Sequence, residues 1–117
     1  MRNQVHQKYG GRCAYCGAEI TVKQMQGDHF KPIYRNWGDT HPLPDHAGTD
    51  TIDNMMPACA PYNRWKSTMP LEEFRAELAS QVERLRRDSA AFRMAERHGL
   101  VAATGSTVVF WFEKNEQ

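Results

Sequence analysis

The chain has 117 residues, of which 40% are hydrophobic and 25% are charged. It is therefore long enough for one folded domain and too apolar for wholesale disorder. A formal net charge of +1 excludes a protein that attracts polyanions through its overall field. No apolar run approaches the ~20 residues that span a bilayer, and the first residues lack the apolar stretch of a secretory signal. We expect one domain over residues 1–117, cytoplasmic and without membrane association.

The elements of the first half begin with a short helix, which we expect from Arg2 to about Tyr9. A cysteine-containing turn over residues 13–17 follows, and then a strand-like run from Ile20 to Phe30. Residues 36–53 contain glycines, prolines and four aspartates, and this composition predicts a single long loop. A loop of that length in so small a domain is usually functional.

The second half is predicted to be mostly helical. We expect a short helix over residues 57–68, with Pro57 at or near its first turn. A longer helix begins at Pro70, where apolar residues recur at intervals of three and four. Another helix is capped by Asp88 or Ser89 and ends near His98. The tail over residues 107–112 is rich in β-forming residues and predicts a strand. The sequence therefore predicts an α+β fold, with a helical and strand extension over residues 70–112.

Three cysteines carry the first chemical signal. Cys13-x-x-Cys16 provides two thiolates on a tight turn, and Cys59 follows 43 residues after Cys16. A tetrahedral zinc site normally needs a second pair, but Tyr62 stands where the fourth cysteine belongs, and a phenol is a poor zinc ligand at neutral pH. Either the three thiols are buried as small hydrophobes, or they bind zinc with a histidine such as His6, or water, as the fourth ligand.

Two further signals are weaker when each is taken alone. Asp28-His29 precedes a proline, and both side chains reach one site only if the strand ends or distorts there. The alternative is an ordinary surface dipeptide. If a helix runs from about residue 58, then Cys59, Asn63 and Lys66 lie on neighbouring turns. Asn63 then offers a neutral oxygen ligand and Lys66 an ammonium for a phosphate, although asparagine often caps helices and lysine often faces solvent.

Together, Cys-x-x-Cys, Asp-His-x-x-Pro, Asn54 and Cys-x-x-Tyr-Asn-x-x-Lys closely resemble the HNH endonuclease family over residues 13–66. The resemblance implies a ββα-metal (HNH) core in which two strands and a helix hold one divalent cation. The implied roles are as follows: His29 as general base, Asp28 and Asn63 as metal ligands, Asn54 as the residue that fixes the histidine loop, and Lys66 beside the phosphate.

The chemistry of these residues suits phosphodiester hydrolysis. A neutral imidazole accepts a proton from water, and a hard cation on one carboxylate and one amide oxygen is Mg²⁺ or Mn²⁺ rather than zinc. We expect Lys66 and Arg64 to bind the substrate, and structural zinc, if bound, to use Cys13, Cys16 and Cys59. The expected protein is a DNA endonuclease that nicks one strand per event, as a monomer or weak dimer. The alternatives are a catalytically silent, zinc-organised DNA-binding module and a metal-binding adaptor for another protein.

The remaining basic residues have no assigned chemistry. Five arginines of the C-terminal half form either a solvated helix face or a surface for the DNA backbone; they are Arg84, Arg86, Arg87, Arg93 and Arg97. Trp37 either stacks on a base or pins the long loop.

Overall fold

The computed structural model describes residues 1–30 and 51–115. Within these ranges the fold is mixed α+β, with six α-helices and a two-stranded antiparallel sheet, as the sequence predicts at this level. None of the described helices is long and apolar enough to cross a membrane. Most of the predicted loop over residues 36–53, including Trp37, lies outside the described residues. Its last part forms a 3₁₀ helix, Ile52–Asn54.

The chain divides into two compact units. Unit 1 consists of Met1–Leu71 together with Val109–Gln117, and unit 2 of Glu72–Val108. Unit 1 contains the predicted motif residues and receives its last segment from the other end of the chain.

Unit 1 begins with helix α1, Arg2–Gln7, which buries Val5 and His6. Two glycines with positive φ then turn the chain into residues 13–17, here called the cysteine knuckle. The Cys13 N–H donates to the Ala18 carbonyl at 2.8 Å, and the Gly17 N–H donates to the Cys13 carbonyl at 2.9 Å. These bonds close the knuckle into a tight turn that presents two cysteine side chains.

The sheet consists of β1, Gln26–His29, and β2, Met55–Ala58, with Gln26 opposite Ala58 and His29 opposite Met55. The cysteine knuckle is joined to β2 because the Ala14 N–H donates to the Pro57 carbonyl at 2.8 Å. Helix α2, Ala60–Lys66, follows β2 after Cys59. The order in this part of the chain is therefore strand, strand, helix.

The boundaries around β2 differ from those predicted. The strand-like run predicted from Ile20 to Phe30 is shorter, and only Gln26–His29 forms β1. Pro57, predicted at the start of a helix, lies in β2, and Pro61 occupies the first turn of α2 instead. The boundaries differ because pairing with β1 keeps Met55–Ala58 extended, so the helix begins only after this strand.

The predicted terminal strand over residues 107–112 is wrong. Residues 107–110 have no regular structure in the described chain, and Trp111–Lys114 form a short helix, α6. The Trp111 and Phe112 N–H groups donate to the Tyr15 and Ala14 carbonyls at 3.0 and 2.8 Å. The aromatic rings of this segment are partly or fully buried by packing against the cysteine knuckle, so their burial does not require pairing with another strand. The rings that meet here form the aromatic cluster, which comprises Tyr9, Tyr15, Phe110, Trp111 and Phe112.

Unit 2 is helical. Helix α3, Leu71–Ala79, enters it, followed by α4, Gln81–Asp88, and α5, Ala90–Arg97. The single long helix predicted from Pro70 is therefore interrupted at Ser80, whose hydroxyl donates to the Glu77 carbonyl at 2.8 Å, a local bond that competes with continuation of the helix. Ser89 caps α5 through the Phe92 N–H, as predicted.

Four of the five arginines without assigned chemistry are engaged with acidic side chains or carbonyls of the same unit; they are Arg84, Arg86, Arg87 and Arg93. Arg84 pairs with Glu77 at 2.8 Å and Arg86 with Glu96 at 2.6 Å. Arg93 donates to the carbonyls of two residues in α4. Of the two interpretations of this region, these contacts favour the solvated helix face.

Gly17 is required by two independent constraints. Its φ is +80°, a conformation that costs an L-residue about 1–2 kcal/mol, and an added Cβ would lie 2.2 Å from the Trp111 ring. We expect Gly17→Ala to lower the free energy of unfolding by about 3 kcal/mol, because a clash with a packed ring adds to the strain.

Gly10→Ala is the matched control, since Gly10 has φ +64° but nothing within 4 Å of an added Cβ. It should cost about 1 kcal/mol. Denaturant melts of the two variants measure the difference, and equal losses would show that Trp111 does not pack on the cysteine knuckle.

Candidate functional site

A pocket of about 390 Å³ lies where β1 ends beside α2. Asp28 and His29 line it from β1, and Asn63 and Arg64 line it from α2. The strand ends at His29, which is what allows two consecutive side chains to reach one site. The structure thus brings four of the predicted site residues to one concave surface.

Asp28 is a buried carboxylate with two partners. Its side chain is 3% exposed, and its Oδ2 accepts from the Tyr15 hydroxyl at 2.5 Å and lies 3.1 Å from the Lys66 ammonium. Burial raises the pKa of the Asp28 carboxyl above its ordinary value, although Lys66 and Tyr15 both favour the charged form. Desolvation is therefore the dominant influence on this group.

Lys66 is fully buried, with 0% of its side chain exposed. Besides its ion pair with Asp28, its ammonium donates to the His29 carbonyl at 3.0 Å. The resemblance implies that Lys66 lies beside the substrate phosphate, and the structure differs: a side chain without exposed surface is not available to a phosphate. Removal of one partner from such a buried pair costs about 3–5 kcal/mol, so Lys66 is first a structural residue of this site.

The backbone of Asn54 is hydrogen-bonded to the residue that follows His29. Its carbonyl accepts from the Phe30 N–H at 2.8 Å, which ties the residue after His29 to the end of the 3₁₀ helix. That helix is in turn held by Lys8, whose ammonium donates to the Ile52, Asp53 and Met55 carbonyls at 3.0, 3.3 and 2.8 Å. Asn54 itself does not line the pocket.

The oxygen donors of the pocket suit a hard divalent cation. Among the described residues both polar contacts of Asp28 use Oδ2, so Oδ1 is the oxygen left for a ligand. Asn63 donates through Nδ2 to the Gln26 side chain at 2.7 Å, which leaves its amide oxygen for the same purpose. One carboxylate and one amide oxygen are the ligand types that Mg²⁺ or Mn²⁺ accept, with water completing the shell.

The three cysteines form a second cluster. The Sγ atoms of Cys13, Cys16 and Cys59 all lie within 4.8 Å of one another, and the Cys16 and Cys59 sulfurs are 3.8 Å apart. Two thiolates on one tetrahedral zinc, each with a Zn–S bond of about 2.3 Å, stand about 3.8 Å apart. All three are free thiols, so the cluster can hold a metal ion such as zinc.

The fourth ligand of this cluster is not His6. Its Nε2 lies 2.6 Å from the Ile20 carbonyl oxygen and its Nδ1 lies 3.0 Å from the Gln7 amide, so both ring nitrogens have partners. No histidine, aspartate or glutamate of the described ranges joins the three cysteines. Burial and the three cysteines raise the pKa of the nearby Tyr62 hydroxyl. Burial also raises the pKa of Cys16 to about 12, so a thiolate there at neutral pH requires a cation.

Sequence reasoning missed two residues of the site. Tyr15 lies between the two cysteines of the knuckle, and its position in a Cys-x-x-Cys turn gives no sign that its hydroxyl reaches Asp28. Lys8 is one of five lysines in the sequence, and only the tertiary fold shows that it holds the 3₁₀ helix.

Tyr62→Cys tests the cysteine cluster. If Cys13, Cys16 and Cys59 bind zinc, a fourth thiolate tightens the site, and a 100-fold gain in zinc affinity adds about 2.7 kcal/mol to stability in zinc-containing buffer. We expect a melting temperature several degrees above that of the original chain, measured by thermal denaturation with zinc present.

Tyr62→Ser is the control, because serine matches cysteine in size but offers no thiolate. It should lower the melting temperature with or without zinc, since a half-buried ring is lost. If Tyr62→Cys falls as far as Tyr62→Ser in zinc, the cluster does not bind zinc.

Comparison of the chain with protein-family models, with curated proteins and with solved structures finds no match.

Proposed function

We propose that this chain is a divalent-metal-dependent DNA endonuclease of the HNH type. The observation that carries the proposal is that Asp28, His29, Asn63 and Arg64 line one pocket. These residues lie on a strand and a helix that occur in the order β1, β2, α2, the arrangement that the resemblance to the HNH family implies.

Each residue has a defined part in hydrolysis. His29 accepts a proton from water, whose oxygen attacks the phosphorus while the bond to the leaving sugar oxygen breaks. Asp28 Oδ1 and the Asn63 amide oxygen would hold the divalent cation, which would supply charge neutralisation at the phosphate. Arg64 is exposed at the pocket, where its guanidinium can bind phosphate oxygens.

The cysteine cluster supports this site from outside it. Cys59 directly precedes α2, and the cysteine knuckle contains Tyr15, so a metal on the three thiols would fix both elements that flank Asp28. In this proposal zinc is structural and the pocket cation is catalytic.

The rival function is a catalytically silent, zinc-organised DNA-binding module. The buried pair of Asp28 and Lys66 favours it, because a carboxylate already neutralised by an ammonium has a structural reason to exist. The pocket favours the enzyme, because a silent module has no need of His29 and Asn63 at the same surface.

A plasmid assay separates the two. We expect supercoiled plasmid to be cut in Mn²⁺ or Mg²⁺ and left intact with a chelator. His29→Ala should lower the cleavage rate at least ~100-fold, the usual contribution of a positioned base, while DNA binding persists. His98→Ala is the control, because His98 is an exposed histidine at the end of α5 and its loss should leave cleavage unchanged.

Cleavage by the His29→Ala variant at the rate of the original chain would exclude His29 as the general base. DNA binding by the original chain without cleavage in either metal would establish the silent module instead.

The product should be a nick. One base and one cation attack one phosphodiester at a time, so we expect open-circular plasmid to accumulate before linear plasmid in a gel time course. Linear product from the first time point, at low protein concentration and without an open-circular stage, would contradict a monomer that cuts single strands.

A further inference from the structure

We propose that Lys66 and Tyr15 are positioning residues, which lock Oδ2 of Asp28 and the backbone of His29 so that Oδ1 of Asp28 faces the cation of the pocket. The proposal rests on the proposed function for the identity of that cation. It assigns Lys66 a role different from the phosphate contact that the resemblance implies, and it adds a residue, Tyr15, that no motif singles out.

Lys66 binds the two consecutive pocket residues from a buried position. Its ammonium lies 3.1 Å from Asp28 Oδ2 and 3.0 Å from the His29 carbonyl oxygen. It is fully buried and does not line the pocket, whereas Arg64, two residues earlier in α2, is exposed and does. Helix α2 therefore exposes the Arg64 guanidinium at the pocket and buries the Lys66 ammonium.

Tyr15 completes the hold on the same oxygen. Its hydroxyl lies 2.5 Å from Asp28 Oδ2, and the residue is 3% exposed. The ring is held edge-on by Phe110 and Phe112, with centroids 5.4 and 6.1 Å away. Because the ring is packed in place, the position of its hydroxyl is fixed. The hydrogen bond to this hydroxyl therefore restricts the orientation of the Asp28 carboxylate.

The two oxygens of the Asp28 carboxylate therefore have different roles: Oδ2 accepts from the two donors, and Oδ1 faces the cation. Two donors on Oδ2 oppose rotation of the carboxylate plane, so the direction of Oδ1 is set before any cation arrives. Outer partners of this kind typically change metal affinity or activity by 10–100-fold when they are removed. A carboxylate without them would sample other rotamers and would bind the cation less well.

Tyr15→Phe is the first test, because it removes one hydroxyl and keeps the ring and the charge. We expect the affinity for Mn²⁺, measured by electron paramagnetic resonance without DNA, to fall about 10-fold. In the plasmid assay kcat should fall and KM for DNA should not change. Tyr9→Phe is the matched control, because Tyr9 belongs to the same aromatic cluster but is not one of the two residues that contact Asp28 Oδ2. Unchanged or tighter Mn²⁺ binding in Tyr15→Phe would overturn the proposal.

Lys66→Met distinguishes positioning from phosphate contact. Each phosphate contact contributes about 0.9 to the slope of log affinity against log salt for duplex DNA. With chelator present, we expect Arg64→Gln to lower this slope by about 0.9 and Lys66→Met to leave it unchanged while lowering kcat at least 10-fold in Mn²⁺. A lower slope in Lys66→Met would make it a phosphate contact and would overturn its positioning role.

A purely structural effect has its own control. Phe74→Leu shortens a buried side chain of unit 2 that does not line the pocket. If the loss of kcat in Lys66→Met only follows the folded fraction, as in Phe74→Leu, positioning is wrong. If Lys66→Met does not fold, the test rests on Tyr15→Phe, in which the buried ion pair is intact.

The proposed function and this inference can fail separately. An original chain that binds Mn²⁺ but cuts no plasmid ends the nuclease proposal, while a weaker Mn²⁺ affinity in Tyr15→Phe still supports positioning. An original chain that binds no Mn²⁺ overturns the positioning of Oδ1 directly.

Discussion

The ion pair of Asp28 and Lys66 is the constraint on which unit 1 depends. Withdrawing an ammonium and a carboxylate from water costs several kcal/mol for each ion, and the attraction between them offsets this only when further hydrogen bonds are present. Lys66 finds the His29 carbonyl and Asp28 finds the Tyr15 hydroxyl. These partners lie on α2, β1 and the cysteine knuckle, so all three elements must be in place together.

Cationic side chains in and next to α1 also donate to backbone carbonyls, as Lys66 does. The Arg2 guanidinium donates to carbonyls that precede β1, including that of Val22 at 2.7 Å, and the Lys8 ammonium donates to carbonyls beside the start of β2. A sheet of two four-residue strands supplies little apolar surface. Small folds of this kind need staples beyond a core, and here cationic side chains bound to backbone carbonyls serve that purpose alongside the cysteine cluster and the aromatic cluster.

Much of the site was accessible from the sequence because its residues are close to strong local signals. Asp28 and His29 precede a proline, and Asn63 follows Cys59 by one helical turn, so their meeting at one pocket needed only the order strand, strand, helix. The burial of Lys66 was not accessible, because motif spacing places a lysine on a helix without showing whether that face is covered.

The strand prediction for residues 107–112 was wrong because it rested on local propensity, while the packing partner of the segment lies far away in the sequence. Residues 107–112 have strong β-propensity, but propensity for a strand describes fit to a pleated surface rather than a fixed backbone preference. The surface actually available was the cysteine knuckle, and the rings of Phe110 and Phe112 pack there beside Tyr15. A partner so distant in sequence leaves no periodic signal near either segment.

This distance governs the order in which the protein can fold. During chain elongation the cysteine knuckle emerges about 95 residues before Trp111, yet the two meet through the Tyr15 carbonyl and the Gly17 surface. Until Phe110 and Phe112 emerge from the ribosome, the Tyr15 ring lacks the neighbours that hold it edge-on. Contacts between such remote segments slow folding, because the loop entropy is lost before they form. During that interval, capture of a metal ion by the three cysteines would already hold the cysteine knuckle beside Cys59 and the start of α2.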